Sequence, residues 1–282
     1  MKQLSTDNHD RDTTGLRYVY PVISRRAGGV SVGVNLNTNN ACNWHCAYCQ
    51  VPNLVRGVAS EINLPLLREE LNDFLDELLH GSFMAGRVPE GCRRLCDIAI
   101  SGNGEPTSCQ QFDTVVQLVV EAMHQAAVPE GVKLRLITNG SYIHRAHVRR
   151  GVQLMAEHNG EVWIKLDSVT PEGIRRINGV KLDVERLRQQ IDGSASLCPT
   201  WIQTCMFAWD GAPPAETEIT AYLDFLTRLV RDNAPLEGVL LYGLARPSLQ
   251  PEAGHVSALP EAWMQSLEKQ IRRVGMPVQM NI

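Results

Sequence analysis

Three observations predict an α/β fold: six short β-rich runs alternate with longer segments of helical period, the runs are apolar almost throughout, and no linker separates the repeats. The specific form is a partial (β/α)6 TIM-like barrel with parallel strands. It occupies residues 15–282 as one domain, behind a polar, aperiodic tail over 1–14. Runs that are apolar on both faces belong in a parallel sheet covered by helices, and right-handed crossovers then curl the sheet in one sense. An open doubly wound sheet is the competing architecture. The uninterrupted repeats, and the lack of a helix-opening GxGxxG after the first strand, favour the barrel.

The elements follow in order. The first strand, VSVGVNL (30–36), precedes a helix at LPLLREELNDFLDELLH (64–80). CDIAIS (96–101) precedes QQFDTVVQLVVEAMHQA (110–126), and VKLRLIT, from Val132, precedes HRAHVRRGVQLMAEH (144–158). EVWIKL (161–166) leads into two short helices around 171–178 and 183–191. TWIQTCM (200–206) leads to AETEITAYLDFLTRLVRD (215–232), and EGVLLYG (237–243) to PEAWMQSLEKQIRR (260–273). In such a fold, function belongs in the loops after the strand C-termini.

The composition sets limits on function. With 44% hydrophobic residues in 282, the chain has material for a full core. Its start, MKQLSTDNHDRDTTG, has no basic stretch followed by an apolar one, and no later segment approaches the ~20 apolar residues that cross a bilayer. The expectation is a cytoplasmic protein with no membrane partner. Eight cysteines in that reducing compartment point to metal or redox chemistry rather than disulfides. A net charge of −4 argues against a broad nucleic-acid surface.

Cys42, Cys46 and Cys49 form a CxxxCxxC loop directly after the first strand, close enough in the chain to turn onto one centre. A structural zinc site or an electron-transfer cluster ordinarily has four protein ligands. A cluster held by three leaves one iron open to a substrate or cofactor. Two other readings stand beside this one: His45 as a fourth ligand to zinc, and the cysteines as ordinary core residues.

CxxxCxxC with Tyr48 before the last cysteine resembles the signature of the radical S-adenosylmethionine (radical SAM) superfamily. PVISRRAGGVSVGVNLNTNNACNWHCAYCQ (21–50) resembles the opening of a branch of iron–sulfur oxidoreductases related to the wybutosine-synthesis radical enzymes. SGNGEPTS (101–108), LITNGS (136–141), IKLDS (164–168) and YGLARPS (242–248) match that branch in order along nearly the whole chain. The resemblance implies a [4Fe–4S] cluster on the three cysteines, S-adenosylmethionine as cofactor, and an electron donor such as flavodoxin or ferredoxin. The reduced cluster would split the cofactor to a 5′-deoxyadenosyl radical that takes hydrogen from a substrate.

The resemblance also implies site residues. Gly104 and Glu105 hold the methionyl amine, and Tyr48 occupies the position whose backbone meets the adenine. Glu105 is an acceptor-only carboxylate suited to an ammonium, and Gly102 and Gly104 permit close backbone approach. Thr138 and Asn139 end the third strand and Lys165 and Asp167 the fourth, all facing the same mouth. The position of Lys165 is commonly a small polar residue in the superfamily; here its ammonium either pairs with the methionyl carboxylate or neutralises Asp167. Asp167, Arg246 and Arg25 are substrate candidates, the arginines for planar recognition of carboxylate or phosphate. HRAHVRR reads as a solvated helix face, Cys92, Cys96 and Cys109 as thiols outside the site, and Cys198 and Cys205 as core. The substrate stays open between a tRNA base, a peptide and a small molecule, with the charge weighing against RNA. The alternative to an enzyme is an iron–sulfur or zinc sensor, and the GNGEPT and ITNGS loops argue against it.

Overall fold

The computed structural model describes residues 4–5, 14–24 and 28–281. Most of the expected tail, together with Arg25 and Arg26, lies outside the described residues. Leu4 is buried, and its N–H donates to the Arg87 carbonyl at 2.8 Å.

The chain opens with β1 (Val19–Ser24) and β2 (Gly29–Val34), followed by the short segments β3 (Ala41–Cys42) and β4 (Val55–Arg56). Helices α1 (Leu64–Leu79) and α2 (Phe83–Arg87) lead to β5 (Leu95–Ile100), α3 (Phe112–Gln125), β6 (Lys133–Thr138), α4 (Ala146–Glu157) and β7 (Gly160–Lys165). Then come α5 (Pro171–Asn178), α6 (Val184–Ala195), β8 (Thr200–Met206), β9 (Ala208–Trp209), α7 (Glu216–Arg231) and β10 (Leu236–Gly243). The last elements are β11 (Val256–Ser257), α8 (Glu261–Arg273) and β12 (Val278–Asn281).

Eight strands form one curled sheet in the order β1-β2-β5-β6-β7-β8-β10-β12. Only β1 runs antiparallel to its neighbour. The six strands read from the sequence are β2, β5, β6, β7, β8 and β10, so the partial α/β barrel is the observed architecture. The edge strands β1 and β12 were not expected. In β1, Pro21 lacks an N–H, which an edge strand tolerates. Just before and at its start, the Glu70 carboxylate of α1 accepts the N–H groups of Arg17, Tyr18 and Val19 at 2.8, 2.8 and 3.3 Å.

The long helices form where the sequence supplies an apolar stripe, and α1 and α5 are capped as well. Asn63 caps α1 by accepting from the Leu66 N–H, and Leu67, Leu71, Phe74, Leu75 and Leu78 bury one face. Thr170 caps α5 with Pro171 at its first position, and α5 ends at Gly179, whose φ of 65° places it in the left-handed region. A side chain there would be strained, and its Cβ would meet the His45 carbonyl oxygen at 2.7 Å. Among the described residues, no helix is long and apolar enough to cross a membrane.

The main core lies between the outer face of the sheet and the helices. In β6, Leu134, Leu136 and Thr138 are buried while Lys133, Arg135 and Ile137 alternate with them. The inward-facing positions are unusual for a barrel, whose interior is ordinarily packed with branched apolar residues. Here Ser31, Asp97, Arg135, Trp163, Lys165 and Gln203 line a cavity of about 340 Å³ instead. At its floor Arg135 is held between Asp97 and Glu161, with its guanidinium 4.6 Å above the Trp163 ring. These strands are therefore apolar outside and largely polar inside, rather than apolar throughout.

Candidate active site

The loop after β2 is pinned on several sides. The Asn37 amide donates to the Ala41 carbonyl at 2.8 Å, and β3 pairs with β4. The His45 and Ala47 N–H groups donate to the carbonyls of Asn178 and Ile177 at 2.9 and 2.7 Å, so the end of α5 grips the loop on both sides of Cys46. From the far end of the chain, the Ser248 hydroxyl donates to the Ala47 carbonyl at 2.7 Å. Gln250 Nε2 donates to the carbonyls of Cys49 and Val51 at 3.1 and 2.8 Å.

Cys42, Cys46 and Cys49 all line the cavity, at its rim beyond the strand C-termini. Burial, with Glu105 adding to it, pushes the Cys42 thiol up to about 12, and burial also raises Cys46. Such thiols keep their protons unless a metal cation displaces them. The Trp44 N–H donates to Cys42 Sγ, and Asn178 Nδ2 to Cys46 Sγ, both at 3.4 Å. His45 turns instead to Glu252, at 3.5 Å. Among the described residues, no three His, Cys, Asp or Glu side chains, these cysteines included, are arranged around one metal-ion position.

Glu105 is 2% exposed and joins two of the loops recognised in the sequence. Its Oε1 accepts from the Thr107 N–H at 3.0 Å and from the hydroxyls of Thr107 and Thr138 at 2.5 and 2.6 Å, and Oε2 accepts from the Asn139 N–H at 2.6 Å. Burial pushes the Glu105 carboxyl up from its ordinary pKa, opposed by these hydrogen bonds. The Asn139 amide donates onward to Asn43 in the cysteine loop at 2.9 Å. Gly104 lies so close to that loop that a Cβ would stand 2.0 Å from the Ala41 carbonyl oxygen. The close approach seen at this glycine is thus to the protein's own backbone.

At the end of β7, Lys165 Nζ donates to the hydroxyls of Tyr48 and Tyr242 at 2.7 and 3.3 Å, and the Tyr48 hydroxyl donates to Asp167 Oδ2 at 2.6 Å. Burial works against the Lys165 ammonium, but the Asp167 carboxylate behind Tyr48 opposes it, and the charged form is held more firmly than in an ordinary lysine. Asp167 meets Lys165 through Tyr48. It also accepts from the Cys205 N–H at 2.9 Å and from Asn178 Nδ2 at 2.8 Å, and it lies behind the wall rather than on the lining. Arg246 lines the cavity. Cys205, read as plain core, packs with Trp44, Cys46, Tyr48 and Phe207 around the cysteine loop.

No family model matches the chain. A curated protein, GTPase Obg of Brachyspira hyodysenteriae, is 25% identical over 129 residues, which span 46% of this chain and 16% of that protein. Among solved structures, a radical SAM methyltransferase from Sphaerobacter thermophilus superposes with a TM-score of 0.61 at 14% identity, covering 93% of this chain and 68% of the other. SuiB of Streptococcus suis, bound to its precursor peptide SuiA, gives 0.56 at 13%, covering 90% and 48%. TYW1 with a lysine-pyruvate adduct gives 0.52 at 17%, covering 88% and 74%. The chain shares the fold of these three proteins. The chain spans about half the length of SuiB and a much smaller share of the Obg protein.

Within this fold, Cys42, Cys46, Cys49, Tyr48, Gly104, Glu105, Thr138, Asn139, Lys165 and Arg246 line one cavity. Sequence reasoning missed Asn178, Cys205, Tyr242, Ser248 and Gln250. Asn178 precedes a glycine and reads as a helix end, Tyr242 and Ser248 bound the YGLARPS motif from which only Arg246 was singled out, and Cys205 and Gln250 carry no local signal.

Proposed function

We propose that this chain is a radical SAM enzyme in which Cys42, Cys46 and Cys49 hold a [4Fe–4S] cluster and S-adenosylmethionine binds beside it. The observation that carries the reading is the convergence of three thiols from one short loop on a single cavity, at the strand C-termini of a radical SAM fold. The donor set fits the group: thiolates are the ligands iron–sulfur clusters take, and these buried thiols would release their protons to a metal. Bound and reduced there, the cluster would supply the single electron for reductive cleavage of the cofactor, the chemistry that leads to hydrogen abstraction from a substrate.

The chain's own residues do the binding. Glu105 offers a carboxylate to the methionyl ammonium from a position locked by Thr107, Thr138 and Asn139. Lys165 offers an ammonium to the methionyl carboxylate from the end of β7. Trp44, Tyr48 and Phe207 pack as an apolar cluster against the loop. The polar inner face of β5, β6 and β8 is left for a substrate, with Arg246 at the rim. An electron donor such as flavodoxin or ferredoxin completes the system, and the net charge of −4 weighs against RNA as substrate.

Anaerobic reconstitution with iron and sulfide, reduction, and addition of S-adenosylmethionine tests the proposal. The expected product is 5′-deoxyadenosine. Its absence from iron-replete protein would favour a sensor, and zinc uptake without iron a structural site.

A further inference from the structure

Resting on the cluster reading above, we infer that Asn178 tunes the cluster's reduction potential by donating an amide hydrogen bond to the Cys46 sulfur. Asn178 is 2% exposed, and its Nδ2 lies 3.4 Å from Cys46 Sγ and 2.8 Å from Asp167 Oδ2. The amide NH2 has two hydrogens, and each has one acceptor. A flipped amide would set its oxygen against the Asp167 carboxylate, so only the donor end fits here. Asp167 is itself fixed by the Tyr48 hydroxyl and the Cys205 N–H, so the direction of the amide is set from behind.

The side chain is not what holds the loop in place. The His45 and Ala47 N–H groups bond to the backbone carbonyls of Asn178 and Ile177, which any residue at these positions would supply. The amide hydrogen bond is therefore an addition to a loop already anchored. Its effect is electrostatic: reduction adds negative charge to the cluster and its sulfurs, and an N–H dipole aimed at one sulfur stabilises the reduced form more than the oxidised form. The amide also stands between the Asp167 carboxylate and the sulfur. Its removal leaves that anion facing the cluster with no intervening donor. Both effects act in the same direction and make reduction harder when Asn178 is lost.

The test uses the full chain, reconstituted with iron and sulfide, in wild-type form and as Asn178→Leu and Asn178→Ala. Leucine keeps the volume without donors, and alanine guards against a packing artefact in leucine. Iron content is measured first, and the potential is then titrated with dithionite while the reduced cluster is followed by electron paramagnetic resonance. Both variants are expected to load iron as wild type does and to be reduced about tenfold less favourably at a given poise, a shift of about 59 mV to more negative potential for one electron. An unchanged potential in both variants would overturn the inference. So would loss of iron uptake in both while wild type loads normally, because the amide would then be a support. Failure of wild type itself to take up iron would instead remove the cluster reading on which the inference rests.

Discussion

Replacing Glu105 with alanine removes the single acceptor that joins the loop after β5 to the loop after β6. Four donors converge on the carboxylate: two hydroxyls and the backbone N–H groups of Thr107 and Asn139. The hydroxyls can rotate to other partners, but the two N–H groups are fixed by the chain. A buried donor left without an acceptor costs about 1–3 kcal/mol, so two give roughly 2–6 kcal/mol. Water can enter from the cavity that Glu105 lines and replace part of the loss, which brings the expected destabilisation to about 3 kcal/mol. Urea denaturation of the metal-free chain should show it as a midpoint lowered by about 1.5 M, taking a slope of about 2 kcal/mol/M. Hydrogen exchange should show lost protection at the Thr107 and Asn139 amides. Glu105→Gln keeps one oxygen acceptor and should cost only about 1–2 kcal/mol. If Glu105→Ala were as stable as wild type, with both amides still protected, the carboxylate would not be the link between these loops.

The remaining predictions concern the same region. Gly104→Ala places a Cβ 2.0 Å from the Ala41 carbonyl oxygen, a backbone atom that cannot yield without moving the start of the cysteine loop. The expected cost is about 1–3 kcal/mol in denaturation, accompanied by reduced iron uptake on reconstitution; wild-type values of both would contradict the packing argument. Burial raises Glu105 above its ordinary value of 4.5, so the folded chain binds that proton more readily than the unfolded one. The Glu105 contribution to stability is then fullest below the unfolded value and is lost as pH rises through the folded one. Glu105→Gln should lack this slope, and denaturation midpoints of the two proteins across the pH range above 4.5 check it.

The repeat pattern and the position of the three cysteines were legible in the chain alone because both depend on neighbouring residues. Helical period is local, and the helices fall close to where they are read. Cys42, Cys46 and Cys49 lie within eight consecutive residues, so their convergence needs only one folded loop. The edge strand β1 was missed because its hydrogen bonds go to β2 and to Glu70, and neither leaves a period in VYPVIS.

The inner face of the barrel was decided by tertiary structure. KLRLIT and EVWIKL contain enough Leu, Ile and Trp to read as apolar on both faces. Only the curl of the sheet determines that Arg135, Trp163 and Lys165 point into a cavity while Leu134, Leu136 and Ile164 meet the helices. The electrostatics of the site were equally out of local reach. Tyr48 meets Asp167 from 119 residues away, Cys46 meets Asn178 from 132, and Ala47 meets Ser248 from 201. A sequence reports contacts between near neighbours through period and spacing. Hydrogen bonds between distant loops depend on the closure of the whole sheet, which no short stretch of the chain encodes by itself.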